Sequence, residues 1–141
     1  MSMFNKECFL DHIAIAVKDL DRTQKIYEDL GVKFNSKRET VHSQEVITAF
    51  AHVDEHAHLE LVCPLDNKGP IQKFLDKNGE GIHHLCFKVP DVRKKSEELK
   101  SLGYILIYEA PVVGANNCLV NFVHPKSSGG VLIEISEDIS K

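Results

Sequence analysis

The chain of 141 residues has the length of one ordinary domain, and its 43% hydrophobic and 27% charged residues exclude a disordered protein. The net charge of −4 argues against binding to nucleic acid, which normally draws on an excess of Lys and Arg. No apolar run approaches the roughly 20 residues that cross a bilayer, and the N-terminus lacks the order of a signal peptide. We therefore expect a cytoplasmic protein with no nucleic-acid or membrane partner.

The four cysteines form no C-x-x-C pair, so the sequence predicts neither a thiolate zinc site nor a disulfide framework. In a chain of this size we expect them to be reduced, buried, small apolar residues without chemistry of their own. They are Cys8, Cys63, Cys86 and Cys118.

Residues 11–20 read as a buried strand that enters a helix at Asp19, whose side chain suits an N-cap. The apolar positions that follow have helical spacing, and Gly31 stands where a left-handed residue ends a helix. Short runs of residues that favour β-strands come next, separated by polar loops. These runs cover roughly 32–38, 44–53 and 57–63.

The same design recurs in the second half of the chain. Laid over the first half without a gap, the second half aligns His84 with His12 and Gly103 with Gly31, each pair offset by 72 (84 − 12 and 103 − 31). A repeat of this length is a whole supersecondary module, so we expect a duplicated module. Its β-type runs cover roughly 104–108, 118–123 and 130–136.

The predicted fold is α+β, made of two β-α-β-β-β modules at about 8–65 and 80–137. A short helix at about 70–78 connects the modules, with Pro in its first turn and Gly just past its end. We expect both modules to form a single domain over 1–141, in which a curved mixed sheet surrounds a cleft and the helices lie on the outside.

One His and one Glu recur in each module. His12 and His84 each lie on the face opposite to the bulky apolar residues of their strands, which leaves room above the sheet. The last strand of each module carries one carboxylate, Glu60 or Glu134, between apolar residues that point the other way. Each module therefore offers one imidazole and one carboxylate to the cleft.

These four side chains predict a metal site. A carboxylate within an apolar strand is costly unless it is paired, solvated or bound to a metal. Two imidazoles and two carboxylates suit one divalent cation and leave up to two octahedral positions for water or substrate. Any one of these residues alone is more often an ordinary surface or core polar group. Their repetition in both modules favours the metal site.

A second group of polar residues falls in a predicted hairpin turn, and we interpret it as a solvated loop. It comprises His52, Glu55, His56 and His58. His42 and His124 likewise have no assigned role.

Together these residues resemble the vicinal oxygen chelate superfamily, which includes glyoxalase I, bleomycin-resistance proteins, extradiol dioxygenases and methylmalonyl-CoA epimerases. The resemblance runs from Asp11 to Glu134, and the stretches 79–84 and 124–127 are similar to the epimerase branch in particular. The segments that carry it are 11–17, 64–65, 70–71, 73–75, 79–84, 124–127 and 129–134.

The resemblance implies that His12, Glu60, His84 and Glu134 are ligands of a divalent Co, Mn, Ni or Zn ion. It also implies an isomerase that inverts the carbon next to an acyl thioester, by removal of a proton to form a metal-stabilised enolate. The expected partner is a small-molecule thioester of CoA, and the expected assembly is a homodimer, as is usual in relatives.

Three carboxylates are candidates for the proton transfers. Glu134 is expected to act as one base, and Glu60 is a further catalytic candidate. Relatives supply a second base from the strand at roughly 44–50, where this chain has Thr48. The nearby acid, Glu45, is three residues away and would change face unless a bulge intervenes.

Substrate contacts are expected from Lys126 and Ser127, in a turn whose backbone donors suit anionic oxygens. An ordinary Gly turn with a surface Lys is an equally good interpretation. The predicted substrate-binding set also includes Thr48 and Asn116. Asn116 lies in the loop where relatives have a Gly-rich segment that contains Lys. A further departure from relatives is Gly69, which replaces the Ser usual before the connecting helix.

Other functions remain open. Glyoxalase I chemistry, a lyase reaction on a hemithioacetal of glutathione, uses the same four ligands, and Glu60 and Glu134 would then serve on opposite faces of the substrate. A non-catalytic protein of this fold that binds or sequesters a small molecule is disfavoured, because all four ligand positions are polar. An extradiol dioxygenase needs two His and one carboxylate, so Glu60 would be surplus.

Overall fold

The computed structural model describes residues 8–140, and its fold is α+β. The chain divides into two compact units, one formed by His12–His83 and the other by the residues from His84 onward together with those before His12. Each unit contains a helix after its first strand and four strands, so the predicted duplication of one module is confirmed.

The first unit, His12–His83, has the strand order β2-β3-β4-β1. β1 pairs with β4 in parallel, while the β2–β3 and β3–β4 pairs are antiparallel. Its elements are β1 (Phe9–Ala16), whose first residues belong to the other unit, α1 (Leu20–Asp29), β2 (Glu39–Val41), β3 (Val46–His52), β4 (His58–Pro64) and α2 (Pro70–Asn78).

The two faces of this sheet are covered by different helices. On one face, Leu20 of α1 packs with Val17 and Leu61 in a fully buried cluster. On the other face, α2 contributes Ile71 and Leu75 to a cluster that contains Ala16 and Val62, since alternate residues of β1 and β4 point to opposite sides. The connecting helix therefore packs on the small-residue face of the sheet, at the end of β1 that carries Ala16.

The second unit repeats this topology with the strand order β5-β8-β7-β6. β5 pairs with β8 in parallel, and the β7–β8 and β6–β7 pairs are antiparallel. The elements are β5 (Gly81–Lys88), whose first residues belong to the first unit, α3 (Val92–Ser101), β6 (Val112–Val113), β7 (Cys118–Val123) and β8 (Leu132–Asp138).

Both predicted helix starts and both predicted helix ends are confirmed. Asp19 accepts a hydrogen bond from the backbone N–H of Arg22, and Asp91 does the same for Lys94, so each carboxylate caps its helix. The glycines that follow α1 and α3 have φ of +105° and +96°, in the left-handed region that favours glycine. These are Gly31 and Gly103.

The prediction of strands at 32–38 and 104–108 is wrong. Phe34 forms one isolated bridge with Ala51, and Leu106 forms one with Val123. In each unit the corresponding strand lies later in the chain, as β2 and as β6. Val32 and Phe34 of the first segment pack against the core, whereas Tyr104, Ile105 and Ile107 of the second segment are exposed, so a β-type composition alone does not produce a ladder.

Each helix within residues 8–140 is too short or too polar to cross a membrane.

Candidate metal centre and catalytic residues

In the first unit, His12 and Glu60 lie on neighbouring parallel strands, β1 and β4. Ala14 is the register partner of Glu60, so His12 and Glu60 share a face of the sheet. An imidazole nitrogen of His12 lies within 4.8 Å of a carboxylate oxygen of Glu60. The edge of the Phe50 ring also meets the His12 ring, with centroids 6.4 Å apart, and Phe50 is the register partner of Glu60 on β3.

The second unit builds the same arrangement from β5, β8 and β7. Nε2 of His84 lies 3.2 Å from Oε1 of Glu134, and the two side chains are only 12% and 15% exposed. The ring of His84 makes an edge contact with Phe122 at a centroid distance of 6.3 Å. Phe122 is the register partner of Glu134 and stands 72 positions after Phe50 (122 − 50).

The repeat is therefore larger than the sequence analysis recognised. Each unit holds a His, a Glu and a Phe, and the aromatic edge fixes the plane of the imidazole beside its carboxylate. The signal that would have identified Phe50 and Phe122 is their offset of 72 (122 − 50), the same as that of His12 and His84.

The donors of each unit fit a divalent cation. Ligands about 2.1 Å from one ion and roughly at right angles lie about 3 Å apart, and the His84 and Glu134 atoms are separated by 3.2 Å. One imidazole nitrogen and one carboxylate oxygen per unit form a borderline donor set that suits Zn, Co, Ni or Mn. The low exposure of His84 and Glu134 favours an arrangement in which the carboxylate has a cationic partner.

The position proposed for a second base holds no carboxylate. Thr48 is 5% exposed, and its hydroxyl donates to the backbone oxygen of Glu39 at 3.4 Å. Glu45 lies at the end of a short 3-10 turn with φ of +57°. Its side chain lies against Gly69, the residue that precedes α2, where the positive end of the helix dipole stabilises a carboxylate.

The predicted substrate-binding residues of the second unit lie in its loops. Lys126 is exposed, and its backbone N–H donates to Nδ1 of His124. The hydroxyl of Ser127 accepts a hydrogen bond from the backbone N–H of Ile105 at 2.9 Å. Ser127 also borders an apolar groove of about 520 Å³ whose strand residues belong to the face opposite to Glu134. Asn116 is exposed and has φ of +56°.

The hairpin between β3 and β4 differs from its predicted state as a solvated loop. His52 and His58 are strand residues directly opposite each other in the ladder. Nδ1 of His52 and Nε2 of His58 are 3.0 Å apart, and the rings meet edge to face at a centroid distance of 4.6 Å. Only Glu55 and His56 lie in the exposed turn, as predicted.

Lys88 is a second feature that the sequence analysis missed. Its Nζ lies 3.9 Å from Oδ1 of Asp11 and donates to Sγ of Cys118 at 3.6 Å. Burial by itself lowers the pKa of Lys88, but the charges of Asp11 and Cys118 act in the opposite direction and hold that pKa above its usual range. Lys88 follows His84 at an even spacing on β5, so its ammonium lies on the face that carries the His and Glu pair.

A model of the Glyoxalase/Bleomycin resistance protein/Dioxygenase superfamily matches residues 11–122. The mitochondrial methylmalonyl-CoA epimerase of Dictyostelium discoideum is 35% identical over 129 residues, which cover 91% of this chain and 77% of the relative.

Solved structures have the same fold. Methylmalonyl-CoA epimerase from Mycobacterium tuberculosis superimposes with a TM-score of 0.81 and 42% identity, and the match covers 91% of this chain and 86% of that one. A variant of the Streptomyces coelicolor methylmalonyl-CoA epimerase, in complex with 2-nitronate-propionyl-CoA, superimposes with a TM-score of 0.84 and 30% identity over 94% of this chain and 95% of that one.

Proposed function

The chain belongs to the Glyoxalase/Bleomycin resistance protein/Dioxygenase superfamily and is an enzyme of it, and we propose that it is a metal-dependent epimerase of an acyl-CoA thioester. The observation that carries the proposal is the pair of a buried imidazole and a carboxylate in the second unit, 3.2 Å apart, which the first unit repeats on equivalent strands. The relatives that resemble the chain over most of its length include methylmalonyl-CoA epimerases, so a 2-methyl-branched malonyl thioester is the first substrate to test.

The proposed ligands of the cation are the imidazoles and carboxylates of both units, His12, Glu60, His84 and Glu134. Their support is the donor set itself, two nitrogens and two oxygens, which suits Co, Mn, Ni or Zn. When bound, a divalent cation supplies Lewis-acid stabilisation for the negative charge that develops on the substrate oxygens as the proton leaves.

Glu134 is the proposed base for one face of the substrate carbon. It is held beside His84 and Phe122 in a site of low exposure, where the position of its carboxylate is restricted by these neighbours. Epimerisation requires a second group that returns a proton to the other face. We assign this role to Glu60 in preference to Glu45, because the Glu45 side chain lies against Gly69.

Substrate contacts are assigned to the exposed side chains of Lys126 and Asn116. Lys126 carries an exposed positive charge on a short turn, which suits the phosphates of CoA. Thr48 is proposed to shape the cleft through its methyl group, since its hydroxyl is already used in the contact with Glu39. Ser127 remains a predicted contact whose hydroxyl orders the segment at Ile105.

Hydrogen exchange tests the proposal directly. The purified protein, loaded with Co²⁺, is incubated in D₂O with one epimer of methylmalonyl-CoA. Two quantities are followed: deuterium at the carbon between the carboxylate and the thioester, and conversion to the other epimer. We expect both, and we expect a chelator to abolish them and added Co²⁺ or Mn²⁺ to restore them. No exchange in the loaded protein would contradict the proposal.

Glyoxalase I chemistry is the second candidate, and two observations favour it. Both units pair an imidazole with a Glu, and Glu45, the acid nearest to Thr48 in the sequence, is placed against Gly69. Two metal-binding carboxylates are sufficient for a lyase that moves one proton within the hemithioacetal of glutathione and methylglyoxal. Turnover of that hemithioacetal without exchange of methylmalonyl-CoA would reject the epimerase and support this candidate.

A further inference from the structure

The hairpin of the first unit holds two imidazoles that the proposed function does not use. His52 ends β3 and His58 begins β4, and they are direct partners in the antiparallel ladder. Side chains of such a pair project on the same side of the sheet, close enough to touch. Nδ1 of His52 and Nε2 of His58 are 3.0 Å apart.

We propose that His52 and His58 form a second site for a divalent transition-metal ion, with two imidazole nitrogens as protein ligands. Two nitrogens bound at about 2.0–2.1 Å to one tetrahedral Zn²⁺ lie about 3.3 Å apart, and the nitrogens of the pair need to move by only a few tenths of an ångström from their observed 3.0 Å. The ion would replace the direct hydrogen-bond contact between the two nitrogens.

The surroundings of the pair suit a cation. His52 is exposed, so an ion can enter from solvent and keep water on its remaining positions. The turn that joins the strands carries the carboxylates Asp54 and Glu55, both exposed, which make the local potential negative. Asp54 also accepts the backbone N–H groups of His56 and Ala57, so the turn is held in one conformation and keeps the two strand ends together.

The His52 and His58 pair lies beside the His and Glu pair of the same unit, since His58 is the register partner of His12 on β1, but the repeat does not contain it. The residue 72 positions after His52 is His124 (52 + 72), which lies outside the strands and accepts the backbone N–H of Lys126 through Nδ1. In the second module, the strand equivalent to β4 is β8, and it begins with Leu132. No imidazole therefore stands there in the place of His58. The His52 and His58 pair is a feature of the first unit alone.

The test counts Zn²⁺ equivalents by calorimetric titration of the metal-free, full-length protein. We expect the wild type to bind one more equivalent than His52→Asn. The matched control is His56→Asn, which removes an exposed imidazole from the same turn and is expected to bind as many equivalents as the wild type. Equal numbers for wild type and His52→Asn would overturn the proposal.

Imidazole nitrogen shifts provide the second measurement. On addition of Zn²⁺, the Nδ1 resonance of His52 and the Nε2 resonance of His58 are expected to move together, and this must also occur in Glu134→Ala, which removes a proposed ligand of the four-ligand site in the other unit. Loss of the His52 and His58 shift changes in Glu134→Ala would show that the pair responds only to the other metal and would overturn the second site. Failure of the epimerase assay has no bearing on either measurement.

Discussion

Glu45 and Gly69 depend on each other sterically. A Cβ atom added to Gly69 would lie 2.8 Å from Cβ of Glu45, closer than real Cβ contacts allow. Both residues have positive φ, +57° at Glu45 and +95° at Gly69, a region that costs a non-glycine residue about 1 kcal/mol or more. The Gly that precedes α2 is therefore required by the Glu that lies against it.

The first prediction concerns this strain. Glu45→Gly is expected to raise the free energy of unfolding by less than about 1 kcal/mol, because glycine adopts φ of +57° without the Cβ penalty but loses the carboxylate at the start of α2 and has a larger folding entropy cost. Gly69→Ala is expected to lower it by more than that, because the new Cβ adds the contact with Glu45 to a strained φ. Urea unfolding measures both, with Gln44→Gly, a glycine introduced at a residue without positive φ, as the control. An unchanged or lower stability of Glu45→Gly would contradict the assignment of strain.

The second prediction concerns the proposed base. Glu134→Ala is expected to lower kcat for exchange by roughly 10²–10⁴-fold, the contribution of a general acid or base, and to weaken metal binding. Glu109→Ala, which changes an exposed carboxylate of the same unit, serves as the control and should retain activity. Steady-state kinetics on metal-loaded protein measures both, and equal kcat in Glu134→Ala and wild type would refute the role of Glu134.

The third prediction concerns the aromatic edges that orient the imidazoles. Phe122→Leu is expected to lower Co²⁺ affinity by up to about 10-fold, as changes beside a ligand commonly do, because the ring of His84 loses its edge contact. Phe74→Leu is the matched control, since the Phe74 ring makes a similar edge contact with His83, which is not a proposed ligand. Co²⁺ titration followed by absorption spectroscopy compares them. A loss of affinity in both variants alike would contradict a specific role for Phe122.

The fourth prediction concerns a buried amide in the second unit. Asn121 is 0% exposed, and its Nδ2 donates to Oγ of Ser96 and to the backbone oxygen of Tyr108, both at 3.1 Å. Asn121→Ala leaves these groups without their partner, which costs about 1–3 kcal/mol. Thermal unfolding should show a clear loss relative to Asn35→Ala, where the side chain is exposed. A melting temperature equal to that of the wild type would exclude the structural role.

The fifth prediction concerns thiol reactivity. All four cysteines are free, and Cys8 is exposed, contrary to the expectation that all are buried. Burial first, and then the negative charges of Asp19 and Glu80, raise the pKa of Cys63 above its usual value. At a given pH below that pKa, Cys63 therefore holds less thiolate than an unperturbed thiol and reacts more slowly.

Alkylation at pH 8 followed by peptide mass spectrometry should label the exposed Cys8 before Cys63, and the rate at Cys63 should continue to rise as the pH is raised above the usual pKa of a thiol. Labelling of Cys63 that is as fast as that of Cys8 would show that burial does not control its reactivity.

The sequence by itself determined the features that depend on local periodicity and on the duplicated module. Asp19 and Asp91 are caps because a short carboxylate before an apolar helical stripe satisfies free N–H groups wherever it occurs. The face of each His and Glu follows from strand alternation, so the pairing of His84 with Glu134 could be anticipated. The superfamily could be identified for the same reason, since the segments that carry the resemblance coincide with these strands and turns.

Only the tertiary structure decided which polar groups meet when they are distant in sequence or lie at an element boundary. The helix α2 covers Ala16 and Val62 because its own apolar residues find no other face in the unit, and a composition-based prediction assigns no face to a helix. The contact of Glu45 with Gly69 and the closed distance between His52 and His58 depend on where a turn ends and a ladder begins. Displacement of either boundary by one residue reverses the direction of every side chain that follows.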